Sequence, residues 1–164
     1  MSVSFINKLF KSKSNDDFCT AVVLAAGNSQ RMGKDKILMP LGGAPVIAHT
    51  LKALQSAECI DEIVVVTKYE RLQELADICH DHGISKASKV VVGGKTRLES
   101  SLIGVSNADE RAKYTAIHDG ARPFVTNSLI ERVVHSAHQH GASAPAVSAT
   151  DTVRILNVKG AVAV

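Results

Sequence analysis

The chain contains no tryptophan, and only two tyrosines and four phenylalanines among 164 residues. So few aromatics argue against a surface on which the bases of single-stranded nucleic acid stack. Cysteine is also scarce. Cys19, Cys59 and Cys79 are widely separated and show neither C-x-x-C nor Cys/His ligand spacing. An odd, scattered set speaks against a disulfide framework or a zinc site and for reduced thiols in a cytosolic setting, serving as small packing residues. No apolar run approaches the roughly 20 residues that a membrane-spanning helix needs. Neither sign of charge dominates: the net +3 suits a small anionic substrate without demanding a polyanion. Internal repeats and interdomain linkers are missing too, and this length supports one domain with a core of its own.

The first seventeen residues differ from the rest. Phe5, Ile6, Leu9 and Phe10 can share a helical face, with Lys8, Lys11 and Lys13 around them. A membrane-surface anchor has that pattern, but the run is short, lacks a signal peptide's apolar stretch and cleavage site, and ends in the polar SKSNDD. The reading is a loosely ordered extension over 1–17 and one folded domain over 18–164. No clear transit peptide is present. The expected location is cytoplasmic, or a plastid-type organelle if the source is eukaryotic.

From Phe18 the chain alternates between two periods. Strand-length apolar runs occur at Ala21–Ala25, Ile63–Thr67, Lys89–Val92, Tyr114–His118 and Ser143–Ser148. Helical stripes lie between them: Ile47, Leu51 and Leu54; Leu72, Leu75, Ala76 and Cys79; Leu98, Leu102 and Val105; Ile130, Val133, Val134 and Ala137. Thr126 or Asn127 is placed to cap the last of these helices. Continuous Val/Ile runs separated by helices predict an α/β fold, a Rossmann-like, mostly parallel sheet with helices on both faces.

In such sheets ligands bind beyond the carboxyl ends of the strands, and three unusual loops fall at that edge. The first strand runs into AAGNSQR, the third into GGKTRLESS and the fourth into DGARPF. Ala25, Ala26 and Gly27 form a turn nearly free of side chains, so backbone N–H groups can approach phosphate oxygens, and Arg31 and Lys36 follow as cations. The turn is neither G-x-G-x-x-G nor G-x-x-x-x-G-K-[ST], which argues against the Rossmann dinucleotide and Walker-A readings. Asp119, just outside its strand, is placed to hold a divalent cation such as Mg2+ shared with substrate phosphates, or to cap the turn before Pro123. Arg31 and Lys36 read as a phosphate clamp, set against solvated surface cations. Arg122 either contacts an acceptor phosphate or pairs with Asp119. The seven histidines show no H-E-x-x-H spacing, and His118 should point to the side of its strand opposite Asp119. No Ser/His/Asp or Cys/His arrangement supports a covalent intermediate.

The segments LAAGNSQRMG, KILMPLGGAPVIAHTL, VVVGGKTRLESS, HDGARPFV and ATDTVR, in that order, resemble the 2-C-methyl-D-erythritol 4-phosphate cytidylyltransferases over roughly Ala21 to Arg154. HDGARPF is the most specific of them. The resemblance implies a nucleotidyltransferase fold and a reaction in which CTP and methylerythritol phosphate give the CDP-linked alcohol and pyrophosphate, with Mg2+, in non-mevalonate isoprenoid synthesis. It implies that Ala25, Ala26 and Gly27 line the nucleotide pocket. Gly94, Lys95 and Ser100 would complete base and ribose recognition, although an acidic residue often stands in place of Lys95. Arg31 and Lys36 match the cations that stabilise the transition state. Asp119 matches a residue touching metal or acceptor, within a substrate-binding segment that includes Gly120 and Arg122. Thr152 matches a threonine near the acceptor phosphate, partly supplied by the other subunit of a homodimer. In-line attack on a phosphorus needs positioning and charge stabilisation but no protein nucleophile, in keeping with the residues present.

Two departures stand beside the resemblance. The RMGKDK segment sets Arg31 and Lys36 closer together than in many members, nearer to the molybdenum-cofactor guanylyltransferases, so Lys34 competes with Lys36 for the catalytic role. The family's chains also continue past the position of Val164 with further acceptor- and triphosphate-binding residues. The expectation is therefore a C-terminally incomplete domain. The alternatives are a related nucleotidyltransferase with another base or acceptor (ribitol phosphate, a sugar phosphate, molybdopterin) and a catalytically silent nucleotide-binding or interaction fragment.

Overall fold

The computed structural model describes residues 17–27, 35–148 and 150. In chain order the strands are β1 (Cys19–Leu24), β2 (Pro40–Leu41), β3 (Ala44–Pro45), β4 (Glu62–Thr67), β5 (Ala87–Val92) and β6 (Tyr114–Asp119). The α-helices are α1 (Val46–Ser56), α2 (Leu72–Asp81), α3 (Arg97–Ser106) and α4 (Asn127–His140). Four strands form one parallel sheet in the order β5-β4-β1-β6. Ala21, Val22 and Val23 of β1 and Ile63 to Val66 of β4 are fully buried, as strands covered on both faces require. β2 and β3 form a small antiparallel hairpin. Gly42 and Gly43 close it with φ of 55° and 88°, the positive pair that a type I′ hairpin turn demands.

Helices cover both faces. On one, Ile47, Leu51 and Leu54 of α1, Leu75 and Cys79 of α2, and Ile130 and Val134 of α4 pack with Ala21, Val23, Ile63 and Val65. Burial pushes the Cys79 thiol up to about 11, which suits a packing residue. On the other face α3 lies over Val22, Val64 and Val66. Thr126 caps α4, its Oγ1 accepting from the Leu129 N–H at 3.3 Å. No helix among the described residues is long and apolar enough to cross a membrane.

The amino end of the sheet carries a buried carboxylate. Glu62 is only 6% exposed and accepts hydrogen bonds from Thr20 Oγ1 at 2.7 Å, from the Asp109 N–H at 2.8 Å and from Ser88 Oγ. Burial alone would raise its pKa, yet these donors outweigh burial and hold it below the ordinary carboxylate value. The network ties β1, β4 and β5 to the turn that precedes β6.

Two expectations are corrected. Leu98, Leu102 and Val105 do lie on a helix, but they face outward, Leu98 and Leu102 being 69% and 58% exposed. The buried residues of α3 are Ser100, Ser101 and Gly104. A methyl group at Gly104 would meet Val22 Cγ1 at 2.2 Å, so α3 approaches the sheet too closely for anything but small residues. Ser143–Ser148 is not a strand; 142–148 is irregular and exposed. Ser143 Oγ donates to the Val133 carbonyl of α4 at 2.6 Å, holding the segment beside the helix, and Pro145 has no N–H to give a ladder. Between this segment, α4 and β6 runs a groove of about 1030 Å³, lined by Tyr114, Ala116, Leu129, Val133, Ala144 and Pro145. Among the described residues β6 pairs with β1 alone.

Candidate active site

At the carboxyl edge the backbone ladders run on past the strand ends. The Ala25 N–H donates to the Val66 carbonyl at 2.7 Å, the Gly93 N–H to that of Thr67 at 2.7 Å, and the Gly120 N–H to that of Leu24 at 2.9 Å. These bonds set the loops after β1, β5 and β6 side by side, as the sequence predicts. Glycine makes the fit possible. A methyl group at Gly93 would lie 2.8 Å from Ser100 Oγ, 2.9 Å from Ala26 Cβ and 3.0 Å from Val66 Cγ1. One at Gly120 would lie 2.7 Å from Ile47 Cδ1. Ala25 is buried, Ala26 half-buried and Gly27 exposed, so the turn emerges from the core as it reaches the crevice.

The loop after β5 is braced by its own side chains. The Gly94 N–H donates to Ser100 Oγ at 3.2 Å, and Ser100 is buried. Thr96 caps α3, accepting from the Glu99 N–H at 3.1 Å, while Glu99 Oε2 accepts from the Lys95 N–H at 2.7 Å. This reciprocal pair resembles a capping box and fixes where α3 starts. Its effect is to hold Gly94, Lys95 and Ser100 in one tight unit at the mouth of the crevice.

Asp119 ends β6 with both carboxylate oxygens engaged. Arg122 Nε pairs with Oδ2 at 3.0 Å. Arg97 Nη2 and Nε donate to Oδ1 at 3.0 and 3.3 Å. Of the two readings of Arg122, pairing with Asp119 is the one seen here. Among the described residues no three His, Cys, Asp or Glu side chains form a metal-holding group. His118 registers with Val23 and Asp119 with Leu24, so the two side chains point to opposite faces, as expected. His118 Nε2 lies 3.3 Å from the Arg122 carbonyl, and burial lowers the imidazole's pKa.

Lys36 opens a short 3-10 turn, Lys36–Leu38, whose Ile37 is buried in the core. The preceding Asp35 pairs with Arg71 at 3.1 Å and anchors this turn to the start of α2. Arg31, Lys34 and Thr152 lie outside the described residues. Sequence reading passed over Arg97, although the residue stands in GGKTRLESS. Its one signal is its place directly after a helix cap, at the edge of a glycine-rich loop.

The model of the family described as 2-C-methyl-D-erythritol 4-phosphate cytidylyltransferase matches residues 19–164. A Clostridium botulinum protein of that name is 36% identical over 143 residues, covering 86% of this chain and 62% of its own length. One from Prosthecochloris aestuarii is 34% identical over 149 residues, covering 84% and 61%. The chain thus spans somewhat less than two thirds of the length of these curated relatives. Among solved structures, 4-diphosphocytidyl-2C-methyl-D-erythritol synthase from Anaerococcus prevotii superposes with a TM-score of 0.74 at 25% identity, covering 90% of this chain and 63% of its own. The Mycobacterium tuberculosis protein Rv0371C, in complex with manganese, superposes at 0.58 with 21% identity, a likeness of fold alone. Because the family model matches residues 19–164, most of this chain, the chain belongs to the 2-C-methyl-D-erythritol 4-phosphate cytidylyltransferase family.

Proposed function

We propose that this chain transfers the cytidylyl group of CTP to the phosphate of 2-C-methyl-D-erythritol 4-phosphate. An acceptor phosphate oxygen attacks the α-phosphorus, a new P–O bond forms, and the α–β bridge breaks to release pyrophosphate. The observation that carries this reading is the convergence of three loops, Ala25–Gly27, Gly93–Ser100 and Asp119–Arg122, at one sheet edge. Family membership supplies the identity of nucleotide and acceptor.

In this reading Ala25, Ala26 and Gly27 present backbone to the triphosphate, while Gly94, Lys95 and Ser100 hold base and ribose. Arg31 and Lys36 place positive charge where it builds on the phosphorus. Asp119, Gly120 and Arg122 face the acceptor, and Thr152 adds a contact there across a homodimer. This reading assigns the Asp119 carboxylate to a divalent cation such as Mg2+, which commonly takes one or two carboxylates and completes its shell with phosphate oxygens. Binding there requires an oxygen now held by Arg97 or Arg122. Asp119 would supply the carboxylate, and the bound cation would neutralise the leaving pyrophosphate.

Pyrophosphate release tests the reading, with CTP, Mg2+ and methylerythritol phosphate, beside acceptor-free and GTP-substituted reactions. Release that requires both CTP and the acceptor is expected. Activity with GTP in place of CTP would transfer the chain to the guanylyltransferase relatives, whose shorter spacing the Arg31–Lys36 segment shares.

A further inference from the structure

We infer that Arg97 is a positioning residue for Asp119, joining the loop that holds the nucleotide to the loop that faces the acceptor. The inference rests on the cytidylyl-transfer reading. The two residues are 22 positions apart and reach the crevice from opposite ends of the sheet. Arg97 follows β5 and Asp119 ends β6, with β4 and β1 between them. Helix α3, which Arg97 begins, packs on β1 and β4 and so crosses that interval.

The geometry is a two-sided hold. Arg97 engages Oδ1 through two nitrogens at 3.0 and 3.3 Å, and Arg122 engages Oδ2 at 3.0 Å. A planar guanidinium donating through adjacent nitrogens fixes direction as well as distance, which a lysine ammonium cannot do. Arg122 alone would leave Oδ1 unheld and the carboxylate plane free to turn. Stability does not account for the Arg97 pair. Arg97 is 65% exposed and Asp119 32%, and ion pairs so placed add little to folding. Its consequence is geometric. Arg97 stands three residues before Ser100, which bonds the Gly94 N–H, so a nucleotide seated on Gly94 and Ser100 acts on the same rigid unit that aims Asp119.

The test is a double-mutant cycle with Arg97→Gln, Asp119→Asn and the pair, plus Arg97→Lys, in the chain as it stands. Thermal unfolding, turnover and equilibrium binding of CTP with Mg2+ are read for each. Arg97→Gln is expected to unfold within a few degrees of the parent and to lower kcat about tenfold, a loss in keeping with a misplaced group. Arg97→Lys should recover only part of it. In the Asp119→Asn background Arg97→Gln should have almost no further effect on kcat or on CTP affinity, because its target has already changed. Equal losses in both backgrounds, or full recovery by lysine, would overturn the inference while leaving cytidylyl transfer in place. Non-additive CTP binding in a parent chain that releases no pyrophosphate would overturn the transfer reading alone. A parent that neither binds CTP nor turns over would overturn both.

Discussion

Lys36 and Glu62 show how differently two charged residues can serve one sheet. Lys36 sits on a one-turn helix whose neighbours, the buried Ile37 and the Asp35–Arg71 ion pair, fix it to the body of the domain. Replacing it with alanine should lower kcat by about 10²-fold with a smaller change in CTP affinity, since charge that builds only in the transition state loses its partner. Steady-state kinetics with the loss confined to KM would rule that role out. Glu62 lies at the far end of the strands and contributes to stability. Its folded pKa is lowered, so its contribution is present above the unfolded value and fades as pH falls through the folded one. Glu62→Gln should cost about 1–3 kcal/mol near neutral pH, and the gap from the parent should close in strong acid. Urea midpoints across pH with a constant gap would show that charge has no part in it. At this scale HDGARPF was legible because an acidic residue, Asp119, closes a strand at the sheet's carboxyl edge, one position further in than the sequence reading placed it. Arg97 was not, because its partner is distant in sequence and adjacent only once the sheet is built.

Elements were readable where hydrophobicity is the signal and obscure where size is. The stripes of α1 and α4 mark their buried faces because these helices meet the sheet through large side chains such as Leu51 and Ile130. On α3 the same rule chose the outward face. The sheet-facing side is Ser100, Ser101 and Gly104, and the closeness that demands them leaves no periodic apolar mark. Gly104→Val should therefore destabilise the domain by about 1–3 kcal/mol or more through overpacking against Val22 and Val66. An unchanged denaturation midpoint would mean that α3 can shift away from the sheet. Ser143–Ser148 failed for a different reason. Its apolar residues satisfy a strand's composition, but a strand exists only with a partner, and the Ser143–Val133 bond keeps this segment on α4.

For the whole molecule, the parallel sheet with helices on both faces followed from the order of runs and stripes, and the meeting of the loops after β1, β5 and β6 at one edge followed from the sheet's direction. Strand order did not, since no residue pattern says whether β6 joins β1 or extends beyond β5. Among the described residues β1 is a central strand and β6 an edge, with the groove on its outer side. In a parallel strand, successive residues direct both backbone groups to alternate neighbours. β6 therefore offers every second amide to β1 and the others to the groove. Hydrogen–deuterium exchange should follow that alternation, with slow amides facing β1 interleaved with fast ones, while β1 stays slow along its whole length. A molecule that binds along the groove as an added strand would erase the alternation, and one that binds only at the crevice would leave it intact.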